Sequence, residues 1–432
     1  MKLRWGLMWL IFFSTMINYF DRVNISIVAP ILGKQYHIGP AVMGVILSMW
    51  ALGFLIFAIP TSRLGDIKGP KPVFGGAAAA WSLANGLLGV ATGAFGFGAL
   101  RFFVGAAESP AFPLATKVAG TWFPSRLRAT AIGLNGMGLG LGLVLGAPVA
   151  VLLLHLFGWR GVFFGTGLLG LVWALVWKIF GSNGPATDKR LSEAERRSLE
   201  EDLGRDIAQT EKGTVLSLGY LLSQTRTWAV IIGMFGAVYI SYFYVTWLPT
   251  YLVTTRHMSV IHAGLYTMIP NLGAAIGAIL GGYICDIIVR KTGNNPFWSR
   301  RFLFAMLLVL SGLAVFPAAG NGSPLFIVTF IGLINLFLQW GLVVTHTISV
   351  QVAGPSTAAS FDSFLQFVFG LSAFLSPLVA GFIVQATGGF YPALMVAAIV
   401  GIVSALLFFV MYRENAQKSI PTMSSIATET PH

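Results

Sequence analysis

Apolar residues run along this chain in stretches of roughly 18 to 30, separated by short polar or charged segments, from one end to the other. About 20 apolar residues are what an α-helix needs to cross a bilayer. Reading the stretches in order predicts spans at 8–32, 41–62, 73–92, 95–118, 129–157 and 161–180, then at 227–252, 263–285, 302–319, 324–350, 358–386 and 391–412. Between the two sets lies a hydrophilic segment, 181–226. It contains Asp188-Lys-Arg-Leu-Ser-Glu-Ala-Glu-Arg-Arg, whose mixed charges suit a solvated helix at the membrane surface. The tail after Arg413 is polar and is expected to be disordered.

Six spans, a charged linker and six more spans are the layout of a two-half transporter. The prediction is an all-α membrane protein of twelve transmembrane helices in two six-helix bundles. Residues 1–180 form the first, 181–226 a cytoplasmic linker, 227–413 the second and 414–432 a tail. An internal echo supports duplication. Arg63-Leu-Gly-Asp-Ile-Lys-Gly-Pro-Lys follows the second span, and Gly282-Tyr-Ile-Cys-Asp-Ile-Ile-Val-Arg-Lys-Thr-Gly closes the eighth; each places an Asp, then basic residues, at a helix end.

Composition sharpens this picture. Hydrophobic residues make up 56% of the chain and charged ones 10%, against about 25% charged in soluble domains. The 51 glycines suit helices that approach closely in lipid. A net charge of +12 invites nucleic acid as a partner, but position argues otherwise. Of 27 Lys and Arg residues, all but Arg22, Lys34, Arg101, Arg160 and Arg256 fall in one alternating set of loops and ends. That asymmetry is the positive-inside rule, and it predicts cytoplasmic termini and linker in a bacterial inner membrane. The lone Cys285 excludes an internal disulfide and a cysteine-based metal site. The first apolar run, after the short basic start Met1–Arg4, reads as a retained span and not a cleaved signal. No nucleotide-binding loop, metal-ligand cluster or nucleophile–base arrangement is visible, so neither an enzyme nor a cofactor is expected.

Four charges stand in the wrong solvent. Asp21 and Arg22 lie midway along the first span, and Arg101 and Glu108 lie in the fourth. Arg101 and Glu108 are two helical turns apart, about 10 Å along one face. Each such charge costs about 2.5–3.5 kcal/mol on insertion scales, so the four must pair or line a wet chamber. Salt bridges that only pin the first helix to the fourth are the plain alternative. Buried ion pairs are a poor source of stability, which favours a working role. The expected mechanism is a competition. Arg22 and Arg101 hold Asp21 and Glu108 ionised until an anion takes an arginine in a bidentate grip, and the freed carboxylate then accepts a proton.

Arg101-Phe-Phe-Val-Gly-Ala-Ala-Glu-Ser-Pro-Ala-Phe-Pro, Gly120-Thr-Trp-Phe-Pro-Ser-Arg-Leu-Arg, Tyr19-Phe-Asp-Arg and Gly65-Asp-Ile-Lys-Gly-Pro-Lys together resemble the anion:cation symporter family of the major facilitator superfamily. The resemblance spans most of the chain. It implies rocking alternating access and import of a small organic anion, a sugar acid or an aromatic or aliphatic carboxylate, with protons. A proton-coupled antiporter exporting drugs or metabolites on the same fold is the runner-up. It also implies proton coupling by Asp21 and Glu108, and substrate binding by Tyr19, Arg22, Arg101, Gln339, Trp340 and Gln366. Gating by Arg63, Asp66, Lys68 and Lys71 follows by analogy with the superfamily's second-to-third-span loop; a loop that only sets topology is the alternative. Phe54 stands where a second binding tyrosine is expected and Met234 where a glutamine is, which makes the pocket less polar. Tyr239, Tyr242 and Trp247 could stack on a ligand, although aromatic stripes are more often core or lipid-facing. The partners implied are the anion, protons and membrane lipid, around a monomer.

Overall fold

The computed structural model describes residues 2–197, 199, 218–291, 301–316, 320, 322–353 and 358–412. Among them the chain is helical throughout, with no strand. The first half comprises α1 (Lys2–Gln35), α2 (Pro40–Lys68), α3 (Pro70–Leu87), α4 (Gly93–Glu108), α5 (Ala111–Trp122) and α6 (Ser125–Phe180). The second comprises α7 (Thr225–Thr254), α8 (Val260–Tyr266), α9 (Met268–Lys291), α10 (Leu303–Leu313), α11 (Pro324–Ala353), α12 (Ala358–Thr387) and α13 (Tyr391–Met411).

Seven helical segments among the described residues are long and apolar enough to cross a membrane alone. One of these, 130–180, spans 51 residues and holds two crossings, divided at Gly158, whose φ of 68° is non-helical. The remaining crossings fall short for identifiable reasons. The first helix carries Asp21 and Arg22 at its centre, α3 is short and begins Pro-Lys-Pro, the fourth crossing is broken into α4 and α5, and α10 covers only 11 described residues. Together they make up the twelve spans expected. Bulky apolar side chains such as Ile59, Phe95 and Ile279 are 74–89% exposed, a surface fit for lipid tails and not for water.

Local sequence sets the joints. Pro110 follows Glu108 and Ser109, and its missing N–H ends α4 in mid-span. Gly69, at φ 85°, makes the tight turn from α2 into α3; there a side chain would be strained and would meet Asn183. The side bearing this turn and the linker is called here the linker side, and the opposite one the far side.

Within the first half α1 packs most extensively on α6, α2 on α4, and α3 on α6. In the second, α9 packs on α11, and α7 on α12 and α13. The halves meet chiefly through α2 with α12, α1 with α7, and α6 with α8 and α9. Glycines permit the closest of these approaches. A Cβ on Gly44 would stand 2.6 Å from the Pro377 carbonyl oxygen and 3.0 Å from the Gly381 Cα. Contacts along the α2–α12 seam run from the far end, at Gly39 and Gln385, to mid-helix at Leu55 and Gly370. The α6–α9 seam adds a hydrogen bond from Asn271 to the Leu143 carbonyl at 2.7 Å.

Candidate functional site

Asp21, Arg22, Arg101 and Glu108 come together at the inner face of the first half, 1–7% exposed. The sequence predicts opposite-signed groups on α1 and α4; the structure brings them into one cluster with a specific pairing. Arg22 Nε lies 3.8 Å from Glu108 Oε2. The same oxygen accepts a hydrogen bond from Trp50 Nε1 at 2.7 Å. The Arg22 guanidinium sits over two rings, Tyr19 at 4.2 Å and Trp50 at 4.1 Å. Arg101 is within electrostatic reach of Glu108, Asp21 and Arg22.

Asp21 is held differently. Its Oδ1 accepts from Asn85 Nδ2 at 2.7 Å. Asn85 also donates to Thr166 Oγ1 at 2.9 Å, and Asn24 donates to the same hydroxyl at 2.7 Å. Asp21 is therefore tied into a polar chain across α1, α3 and α6, and no arginine lies within 4.0 Å of it among the described residues. The helical register explains the split. Asp21 and Arg22 are consecutive, so they point about 100° apart around α1. One turns into the first half and the other toward the seam.

Of the two arrangements expected of these charges, pairing or lining a wet chamber, their burial in this conformation matches pairing. Tyr19, Trp50 and Tyr242 close over Arg22, and Phe54 stacks on Trp50 at 5.4 Å between ring centroids. Buried polar atoms remain without a hydrogen-bond partner among the described residues: Arg101 Nε and Nη1, Arg22 Nε, Glu108 Oε1 and Asp21 Oδ2. An orphaned buried donor or acceptor costs about 1–3 kcal/mol, more when charged.

Among the described residues, the second half's hydrogen bond to the cluster is made by α7. Tyr242, on α7, takes a hydrogen bond from Arg22 Nη1 at 3.3 Å, stacks on Trp50 at 6.3 Å and meets Phe369 of α12 edge-on at 5.4 Å. Gln339, Trp340 and Gln366 are half-buried on α11 and α12. No hydrogen bond joins them to the cluster among the described residues. Trp340 packs on Gly281 of α9, with its indole N–H buried and unpartnered. Met234 is buried in α7.

At the linker-side turn, Asp66 pairs with Lys117 of α5 at 2.8 Å, and Lys117 also donates to the Gly65 carbonyl. Both ends of this pair belong to the first half. Arg63 and Lys68 are exposed, and the Lys71 side chain lines a separate groove between α3 and α6. The echo at Asp286 lies outside the side chains described. Beyond the turn, Arg190 clamps both oxygens of Asp188 with its Nε and Nη2 and donates from Nη1 to the Phe180 carbonyl. Its hydrogen bonds hold the Asp188 carboxyl well below the usual carboxylate range.

Sequence reasoning missed Trp50, Asn85, Thr166 and Lys117. Asn85, a polar residue in an apolar run, carried a signal; the other three had none apart from the fold.

Residues 11–297 match the sequence profile of the Major Facilitator Superfamily. The chain is 30% identical over 424 residues to the probable galactarate/D-glucarate transporter GudP of Bacillus subtilis (strain 168), covering 94% of this chain and 92% of that one. It is 28% identical over 401 residues to the hexuronate transporter of the same organism, 92% of each chain. Among solved structures it resembles a bacterial homologue of the human lysosomal transporter Spinster, in an inward-facing, occupied conformation. The TM-score there is 0.79 at 17% identity, over 95% of this chain and 97% of that one.

Proposed function

The chain belongs to the Major Facilitator Superfamily, and from that premise we propose that it imports a small sugar-acid anion together with protons, across a bacterial inner membrane and by alternating access. It is a transporter and not an enzyme. The observation that carries the reading is the buried cluster of two guanidinium groups and two carboxylates, joined at the seam to the second half by the Arg22–Tyr242 hydrogen bond. The relatives' substrates, hexuronate and galactarate or glucarate, supply the chemical class.

The chemistry follows from the donor set. A guanidinium with two free N–H groups matches a carboxylate in a bidentate grip. Arg101 has two buried donors without a partner among the described residues, Nε and Nη1; they lie on different edges of the guanidinium, so each offers an anion a single charge-assisted hydrogen bond. Arg22, between Glu108 and Tyr242, is the second cation that an anion would engage. When the anion draws Arg22 away, and also engages Arg101, Glu108 keeps the Trp50 N–H but loses its nearest counter-charge. Its protonated form is then favoured, because a lone carboxylate in a dry site is costly. Anion and proton load as a pair. Releasing Tyr242 from Arg22 frees the second half to move against the first. Asp21, held by Asn85 and Thr166, couples the charge state of the cluster to the packing of α1 on α3 and α6.

In this reading the halves are closed toward the far side, where their contacts concentrate, and the linker side is cytoplasmic. The test is uptake of labelled glucuronate, glucarate and galactonate by proteoliposomes with an alkaline interior. Accumulation above the external concentration, abolished by a protonophore, is the expected result. Equilibration that ignores the pH gradient would leave a passive carrier and remove the symport reading.

A further inference from the structure

A groove on the outer face of the first half has two lysines at one end and only apolar or small residues along the rest. It runs between α3 and the second crossing of α6 and encloses about 550 Å³, within the range of small-molecule sites. Gly75, Gly76 and Ala79 form one wall, and Leu171, Ala174 and Leu175 the other. Lys71, in the first turn of α3, and Lys178, near the end of α6, both line its linker-side end. The helices run antiparallel there, so residues 79 and 171 mark the deep end, about 12 Å into the membrane.

The groove owes its shape to glycine. A Cβ on Gly76 would meet nothing within 4 Å, whereas one on Gly75 would touch Trp177 at 3.1 Å. Larger residues at 76 would fill the trough without moving a helix. Trp177 donates to the Lys71 carbonyl at 3.0 Å, and Asn183 accepts from the Lys71 N–H at 2.9 Å. The backbone of Lys71 is thus fixed, but its ammonium group and that of Lys178 have no carboxylate within 4.0 Å among the described residues. The main contacts of α3 are with α2, α4, α5 and α6, all in the same half. The open side of the groove therefore faces the bilayer.

We propose that this groove is a site for one anionic phospholipid, with its phosphate between Lys71 and Lys178 and an acyl chain along the glycine wall. Two cations at headgroup depth complement a net-negative headgroup, and paired basic residues between helices are known to select such lipids. A zwitterionic lipid gains less, because its own ammonium competes with the lysines. The headgroup end of the groove, at Lys71, lies two residues beyond the α2–α3 turn at Gly69. Lys71 then serves lipid binding and not a latch between halves.

The test is native mass spectrometry of the purified protein with equimolar phosphatidylglycerol and phosphatidylethanolamine. Wild-type protein is expected to retain one phosphatidylglycerol with about ten-fold preference. Lys178→Glu should bring the two lipids near parity. Gly76→Phe should lower occupancy by both without changing the thermal unfolding of the lipid-free protein. Lys178 is exposed and outside the packing, so that variant decides the matter even if Gly76→Phe folds poorly. Equal retention of the two lipids by wild type, or unchanged phosphatidylglycerol retention in Lys178→Glu, would overturn the proposal. Displacement of the lipid by millimolar inorganic phosphate would assign the lysines to a free anion and overturn it as well.

Discussion

Glu108 takes an indole N–H from Trp50 at 2.7 Å and faces Arg22 at 3.8 Å, so its nearest partners are one neutral donor and one cation. Only the cation can be drawn off by an anion. Glu108→Gln keeps the shape and the capacity to accept from Trp50 but cannot cycle a proton. It is expected to lose accumulation driven by a pH gradient and to retain exchange of labelled for unlabelled anion, both measured in the same proteoliposomes. Arg101→Lys keeps the charge but loses the planar fork, and a charge-assisted bond of about 1.5–3 kcal/mol converts to a KM increase of roughly ten-fold or more. An unchanged KM would separate Arg101 from substrate. The charged residues themselves were legible in the sequence, because four charges in apolar spans have few physical excuses. Their partners were not. Which face of α1 looks at Asn85 and which at Trp50 depends on helix rotation and packing, and neither is written in the spacing of residues 21 and 22.

At the level of elements, the span boundaries followed from apolar length, and the joints from single residues. Gly158 parts the two crossings of α6, and Pro110 ends α4 just beyond Glu108. Less legible was which glycine meets which helix. Gly44 and Gly381 face each other across the α2–α12 seam, where any side chain meets backbone and not a yielding tip. Gly44→Val is therefore expected to push the far ends of α2 and α12 apart and to slow transport about ten-fold. Spin labels at those ends should report a longer and broader distance distribution; an unchanged distribution would contradict the seam. The loop after α2 has a partner outside its own residues. Asp66 pairs with Lys117 inside its own half, a contact set by the packing of α2 beside α5 and invisible in the loop's own residues.

Across the whole molecule, the far-side loops carry Lys34, Arg160 and Arg256 and no Asp or Glu. A face of one sign raises the local concentration of an oppositely charged ligand, and salt screens that field with a Debye length of about 8 Å at physiological ionic strength. Raising salt from low to about 0.5 M is therefore expected to increase KM for the anion a few-fold with little effect on kcat. Replacing Lys34, Arg160 and Arg256 by glutamine should flatten that dependence. The twelve-span architecture and its two halves were readable from period, length and the central linker, since lipid allows the backbone few solutions. The placement of one half against the other was not. It rests on contacts such as Arg22 with Tyr242, made by residues 220 positions apart.

The account stands on anion and proton entering together through one buried cluster. The most direct measurement is proton flux on adding glucuronate or glucarate to proteoliposomes in weakly buffered medium, followed with an external pH indicator. Wild-type vesicles are predicted to make the medium more alkaline as the anion enters, and Glu108→Gln vesicles to leave it unchanged. Anion entry by the wild type with no change in external pH, or a proton signal from Glu108→Gln equal to that of the wild type, would contradict it.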